Sequence, residues 1–378
     1  MKSTVFNFDG SSWKGTDGKI FSELKADLVI CFGSKSMISA PNFFEKLRSQ
    51  FDCSQIALAS TSGEIINSNV QSNTAVAVAM QFEKTSIKTA SINISTCSNS
   101  KEAGAKLLSQ LPQDDLCYVM ILSDGALVNG SDLVDGLNSS LKSKILMTGG
   151  LAGDGTEFVS TLTGLNNNAE KGLIVAVGFY GNSLIVKDGS EAGWEIFGVE
   201  KTVTKSEANK VYELDHQNCL DMYKRYLGEA ASKLPSAALN FPLSVLIPGN
   251  SKTVVRTILG VSEDEKSMTF AGNIPEGSIV RFMKTNFNSL IDAAAISAEK
   301  TIQNHKKAPD FALLVSCVGR KIVLGARTQE EVDAVNHIFN GKTPMLGFYS
   351  YGEIAPLVNE KDTTLHNQTM TITTFYEI

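Results

Sequence analysis

Two segments of the sequence place a glutamate directly after a glycine that follows hydroxyl-bearing residues. Residues 60–65 read Ser-Thr-Ser-Gly-Glu-Ile, and residues 349–354 read Tyr-Ser-Tyr-Gly-Glu-Ile. A carboxylate beside such hydroxyls can hydrogen-bond a polar ligand, or it can act as a general base towards a substrate. The glycine of each turn suits a backbone with positive φ or a close backbone approach. This repeated Gly-Glu-Ile motif is the first candidate for a binding or catalytic role.

The candidate ligand contacts lie where predicted strands run into glycine-containing turns. Such strand ends bind ligands in α/β proteins, because backbone N–H groups are exposed there and side chains converge. Alternatively, Ser-x-Gly-Glu merely closes a strand, with its glutamate in solvent or capping a backbone group, and a single turn does not decide between the two. The candidates are Thr61, Ser62, Gly63, Glu64, Asp154, Arg320, Tyr351, Gly352, Glu353, His366 and Asn367.

Arg320 follows a predicted buried strand and has two interpretations. Its guanidinium could bind a ligand carboxylate through two parallel hydrogen bonds, as an amino-acid sensor would require. It could instead pair with Glu353 and hold the repeat together, which we favour slightly. Cys317, inside the same strand, is predicted to be a packed thiol rather than a reactive one.

A haem would need an imidazole in a pocket. His366 is the best placed of the four histidines because it lies close in sequence to the second Gly-Glu-Ile turn, and His216 comes next. For both residues a hydrogen-bonding role at a turn or surface is the favoured interpretation. No two histidines have the i, i+4 spacing of a zinc-binding helix, so no metal site is predicted.

The common catalytic motifs do not match this sequence. Residues 347–352 have one residue too many for a nucleophile elbow, and residues 150–155 lack the spacing of the dinucleotide fingerprint. No Walker A sequence is present. We therefore do not expect an enzyme, and a general-base role for Glu64 or Glu353 is kept as the alternative.

Composition narrows the class of partner. The net charge of −6 comes with no basic stripe, so nucleic acid is an unexpected partner. No apolar run approaches the roughly 20 residues that span a bilayer, and the first residues do not resemble a signal peptide. The six cysteines include no Cys-x-x-Cys. These features indicate a reduced, cytoplasmic protein without membrane insertion.

Three stretches share the order strand, helix, strand, glycine-containing turn and closing strand, and such repetition decides architecture. The first and last share residues, whereas the middle one shares mainly the order of elements. The final strand alternates to the end and is predicted to be an edge or hairpin strand. The expected strands are 27–32, 55–59 and 73–82, then 117–122, 144–148 and 173–179, then 311–316, 344–349 and 367–376.

Start signals predict where the helices of these stretches begin. Pro41 lies in the first turn of the first helix, and Ser131 is the expected N-cap of the middle one. Thr328 and Glu331 have the spacing of a capping box before the last helix.

The region between residues 190 and 305 has a different sequence pattern. Short strands alternate with turns, and their connections are too short for parallel crossovers, so an antiparallel meander is expected. Two helices, near 217–233 and 286–304, are interleaved with it. The predicted fold class is a mixed α/β protein whose repeated strand-helix-strand units form mixed sheets flanked by helices. The expected domains are 1–188, with two repeat units, and 189–378.

The sequence resembles the FIST domain family in motifs that run in family order from about residue 30 to the end. Two positions depart from the family pattern, His216 where a glycine is usual and Ala59 at the start of the first motif. The resemblance implies an N-terminal and a C-terminal FIST domain. The segments that carry it are 60–65, 149–154, 203–204, 211–215, 270–277, 316–320, 347–354 and 365–369.

The resemblance also implies a function. FIST proteins are regarded as intracellular sensory inputs for small ligands such as amino acids, and one branch resembles haem proteins that respond to nitric oxide. The implied partners are a separate histidine kinase, a cyclic-di-GMP enzyme or a chemotaxis transducer, because no such output motif occurs in this sequence.

The leading hypothesis is a signal-input protein that binds a small ligand at the strand-end turns. The rivals are a haem-based nitric-oxide sensor, an enzyme using Glu64 or Glu353, and a scaffold without a small ligand. If only one copy of the turn binds, the second is the expected site, because Arg320, Tyr351 and His366 surround it in the sequence.

Overall fold

The computed structural model describes residues 1–16, 25–142, 144–234, 236–303, 305, 307–357 and 362–378. Its first unit provides most of one six-stranded sheet, in which β3 and β4 are parallel neighbours and β7 and β1 follow antiparallel. The elements of this unit are β1 (Lys2–Phe8), β2 (Trp13–Gly15), β3 (Lys25–Ser34), α1 (Lys35–Ile38), α2 (Phe43–Gln50), β4 (Asp52–Thr61), β5 (Glu64–Ile66), β6 (Asn69–Gln71) and β7 (Ala75–Gln81).

The second unit repeats this plan. A parallel pair, β9 and β10, is followed by antiparallel β12 and then β8. The elements are β8 (Ser86–Asn93), α3 (Ser100–Ser109), β9 (Leu116–Ser123), α4 (Gly130–Ser140), β10 (Leu146–Leu151), β11 (Thr163–Leu165) and β12 (Leu173–Tyr180).

The third unit has the same plan with a large insertion after its first strand, β13 (Leu184–Glu191). The inserted sheet is antiparallel throughout, as predicted. Its elements are β14 (Glu195–Glu207), β15 (Lys210–Leu214), β16 (Gln217–Asn218), α5 (Cys219–Leu227), β17 (Leu243–Leu246), β18 (Val254–Arg256), β19 (Ile258–Ser262), β20 (Ser267–Phe270) and β21 (Ile279–Lys284).

After the insertion the third unit resumes, with parallel β22 and β23 and antiparallel β26 and β13. The chain enters and leaves the inserted sheet at one place, since Thr285 Oγ1 donates to the carbonyl of Gly193 at 2.7 Å. The boundary expected at residue 188 falls within β13. The remaining elements are α6 (Phe287–Ile302), β22 (Phe311–Cys317), α7 (Val318–Leu324), α8 (Thr328–Ile338), β23 (Met345–Ser350), β24 (Gly352–Pro356), β25 (Thr363–His366) and β26 (Met370–Glu377).

A short strand from each unit crosses into the sheet of another unit. Strand β5 of the first unit pairs with β23 of the third, β24 of the third pairs with β10 of the second, and β11 of the second pairs with β4 of the first. The three units therefore form a closed ring, and the predicted mixed α/β fold built from repeats is confirmed.

The ring encloses one apolar core to which all three sheets contribute. Phe32 of the first unit lies with its ring centroid 4.4 Å from that of Phe348 in the third. Tyr118 of the second unit packs edge-on to Phe375 of the third, with centroids 5.3 Å apart. Burial of large aromatic surfaces between units makes the units mutually dependent.

Four local predictions are wrong. Pro41 lies before α2, which begins at Phe43 with Asn42 as its N-cap, and not in the first turn of the helix. Asn129, rather than Ser131, caps α4, with its side chain accepting from the amides of Ser131 and Asp132. Thr328 is the first residue of α8, and Glu331 faces the interior instead of completing a capping box. The final strand lies in the interior of its sheet, between β13 and β22, rather than at an edge.

The other helices match in place, with residue 304 of the second interleaved helix outside the described residues. Across the described ranges, no helix combines the length and the apolar character that crossing a bilayer requires.

Candidate functional site

The two Gly-Glu-Ile turns form the same set of hydrogen bonds. Glu64 Oε1 accepts from the Thr61 hydroxyl at 2.6 Å, and its Oε2 accepts from the amide and hydroxyl of Thr74 at 3.3 and 2.8 Å. Glu353 Oε1 accepts from Ser350 at 2.8 Å, and its Oε2 accepts from the amide and hydroxyl of Thr369 at 3.1 and 2.8 Å. Each glutamate thus fastens a crossing strand to the closing strand of its own unit.

The middle unit has no glutamate at this position. In each unit the crossing strand pairs with a strand of another unit. Glu64 in β5 pairs with Phe348, and Glu353 in β24 pairs with Gly150. At the equivalent place in β11, the residue that pairs with Ala59 is Thr163. The Thr163 hydroxyl donates to the Leu173 carbonyl at 2.6 Å. The shared role of the position is therefore structural, and only the surroundings can give one copy a further role.

A cleft of about 710 Å³ lies beside the first Gly-Glu-Ile turn, and we call it the polar cleft. All three units contribute to it, through α1 and the first turn, the loop after β10, and α7 with the segment that follows it. Most of its lining residues carry a hydroxyl, amide or charged side chain; the full set is Ser34, Lys35, Ser36, Ser39, Thr61, Ser62, Gly63, Glu64, Ser72, Asn73, Asp154, Gly155, Thr156, Glu157, Val318, Lys321, Ile322, Gly325 and Thr328.

Lys321 is the half-buried cation of the polar cleft. Its Nζ donates to the Ser62 carbonyl at 2.7 Å and to the Ser72 hydroxyl at 2.8 Å. Among the residues that the structure describes, Lys321 forms no ion pair with a carboxylate. Burial lowers the pKa of its ammonium group, and the charge of Glu64 opposes this shift. An anionic ligand would supply the missing counter-charge.

Glu64 borders the same cleft but its side chain is turned inward, with no exposed surface. Burial raises the pKa of its carboxyl group, while hydrogen bonds from Thr61 and Thr74 and the charge of Lys321 oppose that rise. The carboxylate and the ammonium of Lys321 are therefore electrostatically linked without being in direct contact.

Asp154 holds the loop after β10 in place. Its carboxylate accepts from the amides of Phe158, Val159 and Ser160 at 2.9, 3.1 and 2.8 Å, and it also accepts from the Tyr351 hydroxyl. Burial alone would raise the pKa of Asp154, but these hydrogen bonds together lower it. Two predicted site residues, Asp154 and Tyr351, are thus in direct contact.

Lys35 completes the charges of the cleft. Its Nζ lies 3.4 Å from Asp154 Oδ2 and 3.9 Å from Glu157 Oε2. The polar cleft therefore carries two cations, one of them paired with the loop and the other without an acidic partner among the described residues.

A second cleft, of about 450 Å³, lies on the other side of the same loop, and we call it the apolar cleft. The second unit and the inserted sheet form its walls. Large exposed apolar side chains border it, among them Leu127 (58% exposed) and Val159 (70%). The ring of Tyr351 lines it and stacks on Phe158 with centroids 4.5 Å apart.

The remaining predicted residues around the second turn lie in the interior. Gly352, Glu353, His366, Asn367 and Arg320 are all buried and line neither cleft as the described residues form them. Burial raises the pKa of Glu353 to about 7. The second Gly-Glu-Ile turn is therefore packed inside the protein, whereas the sequence led us to expect the ligand site there.

Arg320 pairs with Glu331 rather than Glu353, so the predicted pairing is wrong. Its guanidinium lies 2.9 Å from Glu331 Oε2, and both side chains are fully buried. It also donates to the carbonyls of Ala192 and Leu290, each at 2.7 Å. These acceptors occupy the fork that would otherwise bind a ligand carboxylate. Cys317 is buried, and burial raises the pKa of its thiol, in agreement with a packed role.

The histidines proposed for haem do not fit such a group. His366 Nε2 lies 3.0 Å from the Ala355 carbonyl, and burial lowers the pKa of the imidazole to about 4. His216 is exposed on a turn of the inserted sheet, with φ of 60°. Neither lines a cleft, and the described residues include no cluster of His, Cys, Asp or Glu suited to a metal ion.

Sequence reasoning missed Lys35, Lys321 and Thr74. A signal for the two lysines existed, because Lys35 follows β3 and Lys321 follows β22, which are the corresponding strands of the first and last repeats. Applying the repeat to these strand ends as well as to the Gly-Glu-Ile turns would have drawn attention to both.

Comparison with protein families decides the relationship of this chain. The FIST N domain matches residues 27–217, and the FIST C domain matches residues 219–356. The chain belongs to the FIST family. FIST domains are sensory domains of signal transduction that bind small ligands. The boundary between the two FIST matches lies within the inserted sheet, and the polar cleft is built by residues from both.

A search among curated proteins returned no match to this FIST chain. Among solved structures, one described as "Cyanuric acid hydrolase: evolutionary innovation by structural concatenation" has 7% sequence identity and a TM-score of 0.36. The match covers 100% of this chain and 99% of that one. A superposition this loose carries no argument about activity.

Proposed function

We propose that this FIST protein is an intracellular signal-input protein that binds a small polar ligand in the polar cleft. An amino acid is the ligand class that we infer. The bound state would then be passed to a separate signalling protein, of the histidine kinase, cyclic-di-GMP enzyme or chemotaxis transducer type.

The observation that carries this proposal is Lys321. A half-buried ammonium with two neutral hydrogen-bond partners and no carboxylate in direct contact has lost part of its hydration, and only the more distant charge of Glu64 and the face of the Tyr349 ring, 5.4 Å away, compensate for it. A ligand carboxylate beside it would form a charge-assisted hydrogen bond, worth about 1.5–3 kcal/mol. Lys321 is therefore the proposed carboxylate contact.

The rest of the polar cleft suits the other groups of an amino acid. Glu157 is exposed and can pair with an ammonium group, while the buried carboxylates of Asp154 and Glu64 add negative charge from behind the wall of the cleft. Hydroxyls such as those of Ser34 and Ser72 supply hydrogen-bond partners. The volume of about 710 Å³ lies in the range of small-molecule sites. The first copy of the turn, with Thr61, Ser62 and Gly63, is accordingly the proposed binding copy.

The proposal is tested by a thermal-shift screen of the full-length protein against the standard amino acids and small carboxylates. A ligand at a hundredfold excess over its Kd stabilises the folded protein by about 2.7 kcal/mol, so the melting temperature should rise. Isothermal titration then compares the wild type with Lys321→Met, for which we expect at least a tenfold loss of affinity. Lys106→Met is the matched control, because Lys106 pairs with Glu102 on an exposed face of α3.

A flat response across the screen would contradict the proposal and favour a scaffold without a small ligand. If Lys321→Met binds the ligand with unchanged affinity, the ligand does not contact Lys321 and its site lies elsewhere. If the bound compound is consumed, and Glu64→Gln abolishes its consumption but not its binding, the general-base alternative replaces the sensor. Glu64 is the glutamate relevant to that outcome, since Glu353 borders neither cleft.

A further inference from the structure

One short loop forms a wall of both clefts. Residues 154–160, which we call the coupling loop, follow β10. Gly155, Thr156 and Glu157 line the polar cleft, and Phe158 and Val159 line the apolar cleft. Movement of this loop would therefore change both clefts together.

The carboxylate of Asp154 anchors the coupling loop to the other two units. Its side chain has no exposed surface. It accepts from three amides of the loop itself, from Tyr351 of the third unit and from Lys35 of the first. Because one buried carboxylate serves all of these donors, loss of one contact weakens the anchoring of the whole loop.

Phe158 is held in an unfavourable backbone conformation. Its φ is 54°, in the left-handed region that a bulky residue rarely adopts. Its amide donates to Asp154 Oδ1 at 2.9 Å and to the Tyr351 hydroxyl at 3.1 Å, and its ring stacks on that of Tyr351. Such a conformation persists only while its surroundings enforce it. Weaker anchoring by Asp154 would let Phe158 relax.

We propose that the coupling loop links the polar cleft to the apolar cleft. Lys35 attracts two acidic residues of the loop, Asp154 and Glu157. A ligand ammonium group that pairs with Glu157, as proposed above, competes with Lys35 and weakens its attraction to the loop, which then shifts Phe158 and Val159 in the apolar cleft. That a ligand moves the loop rests on the proposed function. The link between the two clefts does not, because it is a property of the protein alone.

The link is tested without any ligand, by hydrogen exchange of the full-length protein measured on peptides that cover residues 154–160. Lys35→Met should raise the exchange rate of the Phe158, Val159 and Ser160 amides by about fivefold, the upper end for a partly exposed ion pair. Tyr351→Phe should raise it by about tenfold or more, because it removes a hydrogen bond to a charged group. Both substitutions remove a contact of the same carboxylate. The increase in exchange rate of the double variant should therefore be smaller than the product of the two single increases. Lys106→Met is the control and should leave these amides unchanged.

A second readout reports on the apolar cleft directly. The Phe158→Trp variant places a fluorescent ring in this cleft, and the fluorescence of Trp13 and Trp194 is subtracted. Adding Lys35→Met to this variant should shift the emission of the ring at position 158, because the ring leaves its stacked position. If Lys35→Met changes neither the exchange of the loop nor this emission, the proposal is overturned. Faster exchange with an unchanged emission also overturns it, because the loop is then loosened without effect on the apolar cleft. A negative ligand screen contradicts only the proposed function.

Discussion

Glu64 and Glu353 have the same hydrogen-bond partners in type and differ in what surrounds them. Glu64 lies near a lysine at the wall of a cleft, whereas Glu353 is enclosed by the protein on all sides. Burial disfavours the charged form of a carboxyl group, and the hydrogen bonds from hydroxyl and amide only partly compensate. The same local motif can therefore serve a ligand in one unit and stabilise the fold in another.

The pKa of Glu353, raised from 4.5 to about 7, makes the stability of the protein depend on pH. The folded protein binds this proton more tightly than the unfolded chain does, so the stabilisation is fully present below about pH 4.5 and is lost as the pH rises through 7. At about 1.4 kcal/mol per pKa unit the loss amounts to roughly 3 kcal/mol. Urea unfolding between pH 5 and 8 should show it as the difference between the wild type and Glu353→Gln, because the lowered pKa of buried His366 changes the stability in the opposite direction in both proteins.

Glu353→Gln should flatten this dependence, because the amide keeps the shape of the side chain and does not titrate. Its oxygen can accept from Thr369 while its NH₂ group donates to Ser350. Glu102→Gln is the control, since the pKa of that exposed carboxyl, lowered to about 2, lies below the tested range. An equally steep dependence in Glu353→Gln would show that another group is responsible.

At the scale of elements, α3 and α4 of the second unit pack through glycines. A Cβ atom at Gly104 would lie 2.3 Å from the Leu133 carbonyl oxygen, and one at Gly136 would lie 2.0 Å from that of Lys101. The two helix backbones are therefore closer than any pair of alanines would allow. This contact covers one face of the second sheet, with leucines such as Leu107 and Leu137 on its inner side.

Gly136→Ala should destabilise the protein by about 1–3 kcal/mol, although alanine is the better helix former, because overpacking against a backbone carbonyl forces the helices apart. Chemical denaturation measures the change. Gly260→Ala is the matched control, because its Cβ would meet no atom within 4 Å. A stability of Gly136→Ala equal to or above that of the wild type would mean that α3 and α4 can separate at no cost.

At the scale of the whole molecule, the exchange of short strands makes the three units one cooperative structure. Strand β5 needs β23, β10 needs β24, and β13 needs β26. The FIST N match alone, ending at residue 217, contains the first member of each pair and lacks the second. It also lacks the part of the shared core that Phe348 and Phe375 provide.

A fragment of residues 1–217 should therefore fail to fold, with poor dispersion in its proton NMR spectrum and exposed apolar surface. The full-length protein should unfold in a single calorimetric transition. As a control, a full-length chain cleaved after Gly249, in an exposed turn of the inserted sheet, keeps every crossing strand and should stay folded. A well-dispersed spectrum from the fragment would contradict the dependence of the units on one another.

The sequence by itself determined the repeat, the nine strands expected in its three stretches, most of the helices and the family, because these follow from local patterns of apolar residues and short motifs. It also singled out the two Gly-Glu-Ile turns. It did not predict β1, β8, β13 or the short strands that cross between units. The errors at Pro41, Ser131, Thr328 and the final strand arose where competing caps or distant sheet neighbours decided the outcome.

Only the tertiary structure decided which turn borders a cleft and which residues accompany it. Lys321 reaches the carbonyl of Ser62 from 259 positions away in the chain, and Tyr351 reaches Asp154 from 197 positions away. Arg320, which the sequence assigned to Glu353 or a ligand, is taken by Glu331 inside its own unit. The physical reason is the closed ring, which places the end of each repeat against residues of the other two, and no local pattern specifies those neighbours.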